Sequence, residues 1–123
     1  MTFNSTQPLW QPSIERIDTS NLKRFGEYLE HKLGVTFDDY QQLHQWSVEQ
    51  PNLFWEHIWQ FTGIRASQSW DSVLSDGEQF LGAVWFEGAR LNYAENLLRN
   101  RSDKVALISR LENGSRKTLS YHQ

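Results

Sequence analysis

The sequence predicts a mainly α-helical protein that closes on a C-terminal β-hairpin. Three observations carry this. Residues 51–62 repeat large apolar side chains at helical spacing around most of a helix circumference. Upstream stretches with apolar stripes open on cap-forming residues, and one ends at a glycine. Near the C-terminus, Asn113-Gly114, the strongest short-range hairpin signal, separates two strand-like runs. The chain divides on this reading into an extended N-terminal arm over 1–18, a helical region over 19–103 and a hairpin over 104–123.

In the arm, Leu9, Trp10, Ile14 and Ile17 are anchors that can lie across a neighbouring surface. A first helix follows, capped by Asp18, Thr19 or Ser20, with Leu22, Phe25, Leu29 and Leu33 as its apolar stripe and Gly34 as its stop. Asp38 is expected to cap a short second helix, with Gln41 at its third position and Tyr40, Leu43 and Trp46 on one side.

The helix around which the rest is organised starts near Pro51. It sets Phe54, Ile58 and Phe61 on one side with Trp55 and Trp59 beside them, and Asn52, Glu56, His57 and Gln60 on a polar strip. A helix so broadly apolar must be covered from more than one direction. Ser47 with Gln50 matches a capping box at its start, and Gly63 suits its end.

From Ile64 to Phe80 turn formers dominate, and a long surface connection is expected in which Trp70, Val73 and Leu74 offer core contacts. Phe80 to Phe86 reads as a short extended run docked against the helices. After a turn at Gly88, Asn92 and Glu95 form a capping box opening a helix in which Tyr93 pairs with Leu97 and Ala94 with Leu98.

Val105 to Ile108 is apolar on both faces, and Arg116 to Tyr121 returns as its partner. A two-residue turn sets Ile108 opposite Leu119 and Ala106 opposite Tyr121. A doubly apolar strand belongs inside a sheet, and a lone hairpin is marginal in water. The expectation is therefore an N-terminal fragment of a larger protein, with a hairpin that faces missing strands or self-associates through its edge.

Composition narrows the classes further. The 123 residues include six Trp, seven Phe and four Tyr, so a core built of rings is expected. Residues 1–89 carry five Lys/Arg against twelve Asp/Glu, and residues 90–123 seven against three. Without aromatic interleaving or a nucleic-acid motif, the basic tail reads as solvated surface, and no nucleic-acid partner is expected. The absence of cysteine excludes disulfides and thiol nucleophiles. The N-terminus lacks a secretory h-region and no apolar run reaches membrane-span length, so a cytoplasmic protein without a membrane partner is expected. The glycosylation-like triplets at Asn4, Asn100 and Asn113 are then accidental.

Chemistry-bearing patterns are sparse. His31, His44, His57 and His122 show no metal-ligand spacing; Glu27 and His31 at helical distance read as a surface pair. Asp38 and Asp39 read as capping residues before they read as an acid–base pair, and no glycine-rich phosphate loop or nucleophile elbow is present. A sugar-binding platform and an apolar ligand pocket are the other uses for the rings, but rings at helical spacing are more often core. The residues themselves thus describe a packing module with no catalytic, cofactor-binding or metal residues.

Three stretches carry a family resemblance: Trp46-Ser47-Val48-Glu49-Gln50-Pro51 with Phe54, Trp55 and Trp59; Trp85 to Leu98; and Val105 to Ile108 with Leu119 to Tyr121. Together they resemble the N-terminal region of adenylate-forming acyl-CoA synthetases of the acetyl-CoA synthetase type, from about residue 37 onward. Leu91-Asn92-Tyr93-Ala94-Glu95-Asn96-Leu97 is similar to the acetoacetate-activating branch.

The resemblance implies a ligase that joins acetoacetate to coenzyme A through an acyl-adenylate, using ATP, Mg²⁺ and coenzyme A, none expected to bind this chain alone. The chain would be the cap, with the first strands, of an α/β enzyme, and its partner the downstream nucleotide-binding domain. The family's phosphate loop, ribose-binding Asp and catalytic lysine have no counterpart here, so no catalytic residue transfers. Trp46, Phe54, Trp55, Ile58, Trp59, Trp85, Phe86, Leu91, Asn92 and Leu97 become structural anchors, and Arg90, Arg99 and Arg101 surface residues rather than coenzyme A contacts. A fragment of an acetyl- or other short-chain acyl-CoA synthetase, and a stand-alone helical interaction module, are the alternatives.

Overall fold

The computed structural model describes residues 10–122 and divides between Thr62 and Gly63 into two compact units. The expected anchor Leu9 lies outside the described residues. The first unit holds four helices, α1 (Ile14–Asp18), α2 (Asn21–Leu33), α3 (Tyr40–Glu49) and α4 (Pro51–Thr62). The second holds strands β1 (Ser72–Ser75) and β2 (Val84–Glu87), helix α5 (Tyr93–Leu97), and strands β3 (Val105–Arg110) and β4 (Arg116–Ser120). The chain is thus mainly helical, as the sequence predicts, but with two hairpins rather than one.

The N-terminal arm is not extended throughout. Ser13 Oγ accepts from the Arg16 N–H and Glu15 occupies the first turn, which together support the short α1. In α2, Ser20 is the cap and Gly34, at φ 70°, ends the helix with its N–H on Glu30 O. Phe25 and Leu29 are buried, whereas Leu22 and Leu33, at the ends of the stripe, stay largely exposed.

The cap of α3 is Asp39, one residue later than the spacing suggests. Asp39 Oδ1 accepts from the Gln42 N–H at 2.9 Å, and Gln42 Oε1 accepts from the Asp38 N–H at 3.1 Å. Starting there uses both acidic residues, since Asp38 Oδ2 also accepts from Gln42 Nε2. Leu43 is buried and Trp46 half-buried, but Tyr40, at the first helical position, is exposed.

The expected capping box of Ser47 and Gln50 does not form. Helix α3 runs through Glu49, and Ser47 Oγ donates instead to His44 O. Gln50 joins the two helices: its N–H reaches Trp46 O and its carbonyl accepts from the Phe54 N–H. Pro51 then begins α4 where its missing N–H costs nothing, and Gly63, at φ 62°, follows the last turn.

Rings build the core of this unit. Phe25 meets Phe54 edge-on at 5.9 Å and Phe61 at 5.1 Å, and Trp46 bridges Phe37 at 5.4 Å and Phe54 at 6.2 Å. Leu29 and Leu43 fill the space between the helices, with Val35 and Ile58 against them.

In the second unit the stretch expected to be loop contains a strand. Antiparallel β1 and β2 pair Ser72 with Glu87, Leu74 with Trp85 and Ser75 with Val84. Serine hid it, being a turn former by composition; here Ser72 Oγ donates to Leu74 O and Ser75 Oγ to Glu87 Oε2. The run beginning at Phe80 is therefore not one extended segment: residues 79–82 form the turn and only Val84–Glu87 is strand, paired with β1.

Strands β3 and β4 form the expected C-terminal hairpin with a different register. Arg110 pairs with Arg116 and Ile108 with Thr118, and the register shifts between Val105 and Leu107. The loop has three central residues, Glu112-Asn113-Gly114, closed by the Gly114 N–H on Leu111 O and the Leu111 N–H on Ser115 O. Of the loop residues Gly114 alone takes positive φ, at 80°, so Asn-Gly does not form the two-residue turn; the partner of Ile108 moves by one, and Ala106, expected opposite Tyr121, falls in the register shift.

Candidate functional site

Helix geometry brings Trp46, Phe54 and Ile58 together around the Phe25 cluster. Trp59 is 8% exposed, while Trp55, next to Phe54 in sequence and edge-on to it at 5.3 Å, is 41% exposed. Trp55 is thus half in water rather than a full core anchor.

His57, expected on the polar strip, is buried. Gln60 Nε2 donates to Glu56 Oε1 at 3.1 Å, which turns the amide so that Gln60 Oε1 accepts the Tyr28 hydroxyl at 3.0 Å. Tyr28 has one proton, so its oxygen accepts from His57 Nδ1, 3.2 Å away. The chain His57–Tyr28–Gln60–Glu56 links α4 to α2 and assigns the histidine proton to Nδ1. Burial raises the Tyr28 pKa above the usual tyrosine value, and the Glu56 charge adds to it.

The second unit differs in kind. Among its described residues none is buried as a whole, although the Ser102 hydroxyl is shielded from water. Trp85, Leu91 and Leu97, named as anchors from the sequence, are about half exposed; Phe86 is half-buried, with its ring edge-on to Trp70 at 5.6 Å and its backbone at φ 49°. Phenylalanine at positive φ is strained, and the Ala89 N–H on Phe86 O closes the turn that holds it. Val105, Leu107, Ile108 and Leu119 are exposed on the C-terminal hairpin, so it bares apolar residues from neighbouring positions of β3, which point to opposite faces.

Two asparagines organise α5. Asn92 Oδ1 accepts from the Glu95 N–H as expected of a cap. Asn96 was not singled out by sequence, yet its Oδ1 accepts from the Arg65 N–H at 2.7 Å and its Nδ2 donates to Arg65 O at 2.8 Å. An asparagine inside a helical pattern, where it is a poor helix former, was the available signal. Arg99 Nη1 donates to Gly63 O, and Arg90 contributes its backbone to a bridge with Gln68. These groups position backbone.

Among the described residues no three His, Asp or Glu side chains converge as metal ligands. The glycines at positive φ end helices or close turns singly, at 34, 63, 88 and 114, and supply no run of amides for phosphate. The donor set does not fit ATP or Mg²⁺, and no adenylation step can be derived from these residues. What the arrangement offers is a set of exposed apolar side chains on the second unit.

Residues 40–97 match the family described as the acetyl-coenzyme A synthetase N-terminus. The chain is 37% identical over 110 residues to acetoacetyl-coenzyme A synthetase of Rhizobium meliloti (strain 1021), covering 89% of this chain and 17% of that protein. It is 32% identical over 120 residues to a malonamoyl-CoA synthetase of Penicillium aethiopicum, covering 92% of this chain and 16% of the relative. The solved structure of acetoacetyl-CoA synthetase from Streptomyces lividans matches with a TM-score of 0.83 at 35% identity, over 94% of this chain and 18% of that one. The chain thus spans about one sixth of the length of the relatives it matches.

Proposed function

We propose that this chain, whose residues 40–97 match the acetyl-coenzyme A synthetase N-terminus family, is the N-terminal region of an acetoacetate–CoA ligase. The complete enzyme would convert acetoacetate, ATP and coenzyme A to acetoacetyl-CoA, AMP and pyrophosphate, with Mg²⁺, in the cytoplasm. The chain's own part is structural: it caps the nucleotide-binding domain, whose sheet the C-terminal hairpin begins. The observation that carries this is a second unit in which no described residue is fully buried and whose hairpin is apolar. Such a surface needs a cover that its own residues do not provide. Without that cover, the open strand edges pair between copies.

Acetoacetate is the assigned substrate because the acetoacetyl-CoA synthetases match at higher identity than the malonamoyl-CoA synthetase. The assay is acetoacetate-dependent pyrophosphate release by the protein translated from the complete reading frame. Release with acetoacetate well above that with acetate or malonamate supports the assignment. Preference for another carboxylate reassigns the substrate, and release with none overturns the ligase reading.

A further inference from the structure

We propose that Phe80 and Leu81 form a plug that seats in an apolar socket with a basic rim on the nucleotide-binding domain of the complete enzyme. The proposal rests on the ligase reading above and adds the point of attachment. The two side chains are 98% and 96% exposed, at the turn between β1 and β2. Scattered exposed apolar residues are ordinary. Two adjacent large ones, both almost wholly in water, form a patch that calls for a partner.

The turn is shaped to present them. Gln79 O accepts from the Gly82 N–H at 3.1 Å and the Ala83 N–H at 2.9 Å, and the Gln79 N–H donates to Asp76 O at 2.9 Å. Asp76 sits at φ 55°, and a Cβ on Gly77 would come within 2.6 Å of Leu74 Cδ2. Leu74 thus closes over Gly77 from inside the hairpin, while Phe80 and Leu81 project from its end. Backbone order, a left-handed Asp and a closely approached Gly all serve a tip whose apolar groups touch nothing among the described residues.

Charge selects the occupant. Asp76 and Glu78 precede the plug in the same turn, so its receptor must tolerate or neutralise two nearby carboxylates. One groove that a second copy offers is a cavity of about 270 Å³ in the first unit, bordered by Glu27, Glu30 and Asp39. It would set carboxylates against carboxylates, with only Lys23 to offset them. The matched segment is 18% of the solved relative, so most of such an enzyme remains to supply a better-matched socket.

The test places the photocrosslinker p-benzoylphenylalanine at position 80 in the protein translated from the complete reading frame. The expected product is an intramolecular cross-link to an apolar segment beyond residue 123 with Lys or Arg beside it. A cross-link to a second copy, no cross-link, or a reading frame that ends at 123 overturns the proposal. In parallel, Phe80→Ser with Leu81→Ser should leave thermal unfolding of the 123-residue chain unchanged and lower the Tm of the complete enzyme by several degrees. Equal shifts in both, or none in the complete enzyme, overturn it. An active ligase lacking the cross-link sinks the plug alone; a cross-linked protein that releases no pyrophosphate sinks the ligase reading alone.

Discussion

Tyr28 and His57, 29 positions apart, meet through a hydrogen bond of 3.2 Å that joins α2 to α4 inside an otherwise aromatic cluster. Tyr28→Phe keeps the ring contacts with Phe25 and Phe61 but leaves His57 Nδ1 and Gln60 Oε1 without this partner. Gln60 is exposed and can turn to water, but His57 is buried, and a buried group so orphaned costs about 1–3 kcal/mol. Urea titration should show that loss in the variant; a loss under about 0.5 kcal/mol would mean that water replaces the hydroxyl.

The same hydroxyl gives an alkaline signature. Its pKa is raised in the fold, by burial first and Glu56 second, whereas an unfolded tyrosine ionises near about 10. The folded state therefore binds this proton more tightly, so the contribution is complete below about pH 10 and is lost as pH rises through the folded value. Unfolding midpoints between pH 8 and pH 11 should fall more steeply for the wild type than for Tyr28→Phe. Parallel curves would assign the alkaline loss to other groups.

Trp59→Ala should destabilise the chain by about 3–5 kcal/mol, as for large aromatics in cores, because Trp59 is 8% exposed. Trp55→Ala should cost clearly less. Denaturant titration that ranks Trp55 above Trp59 would contradict the burial of the two rings.

Two glycines predict opposite signs. Gly26 lies inside α2 with nothing within 4 Å of an added Cβ, so Gly26→Ala should stabilise by about 0.5–1 kcal/mol. Gly88 sits at φ 81° with Asp71 Oδ2 where a Cβ would go, so Gly88→Ala should destabilise by more than about 1 kcal/mol. Thermal melts of the two variants on opposite sides of the wild type are the expected result.

The open hairpin predicts association of the 123-residue chain at high concentration, read by sedimentation velocity. Thr118→Pro, by removing a backbone donor on β4, should reduce it if that strand's edge is the one that pairs. A strictly monomeric wild type would remove the hairpin edge from consideration.

Helix stripes and glycine stops were legible because a 3.6-residue period and a positive-φ stop are local properties: α2 and α4 end at Gly34 and Gly63 as the sequence predicts. What failed depended on context. Ser47 reads as a cap, but α3 continues past it because Gln50 serves as the junction. The β1 strand was hidden by two serines whose hydroxyls find partners only after the hairpin forms. His57 looked wet until Tyr28, from another helix, supplied its partner. The exposed apolar hairpin was visible only as a doubly apolar strand; that no described residue of the unit is fully buried follows from packing, which no local pattern encodes.

A region without an interior of its own has a hazard in time as well as in space. If the ligase reading holds, these residues leave the ribosome first, and the five-sixths still to come at roughly 5–20 residues per second take on the order of a minute. Throughout that interval the greasy half of the nascent chain has no lid. Its producer must therefore shelter it with holdase chaperones or tolerate aggregation whenever translation stalls downstream.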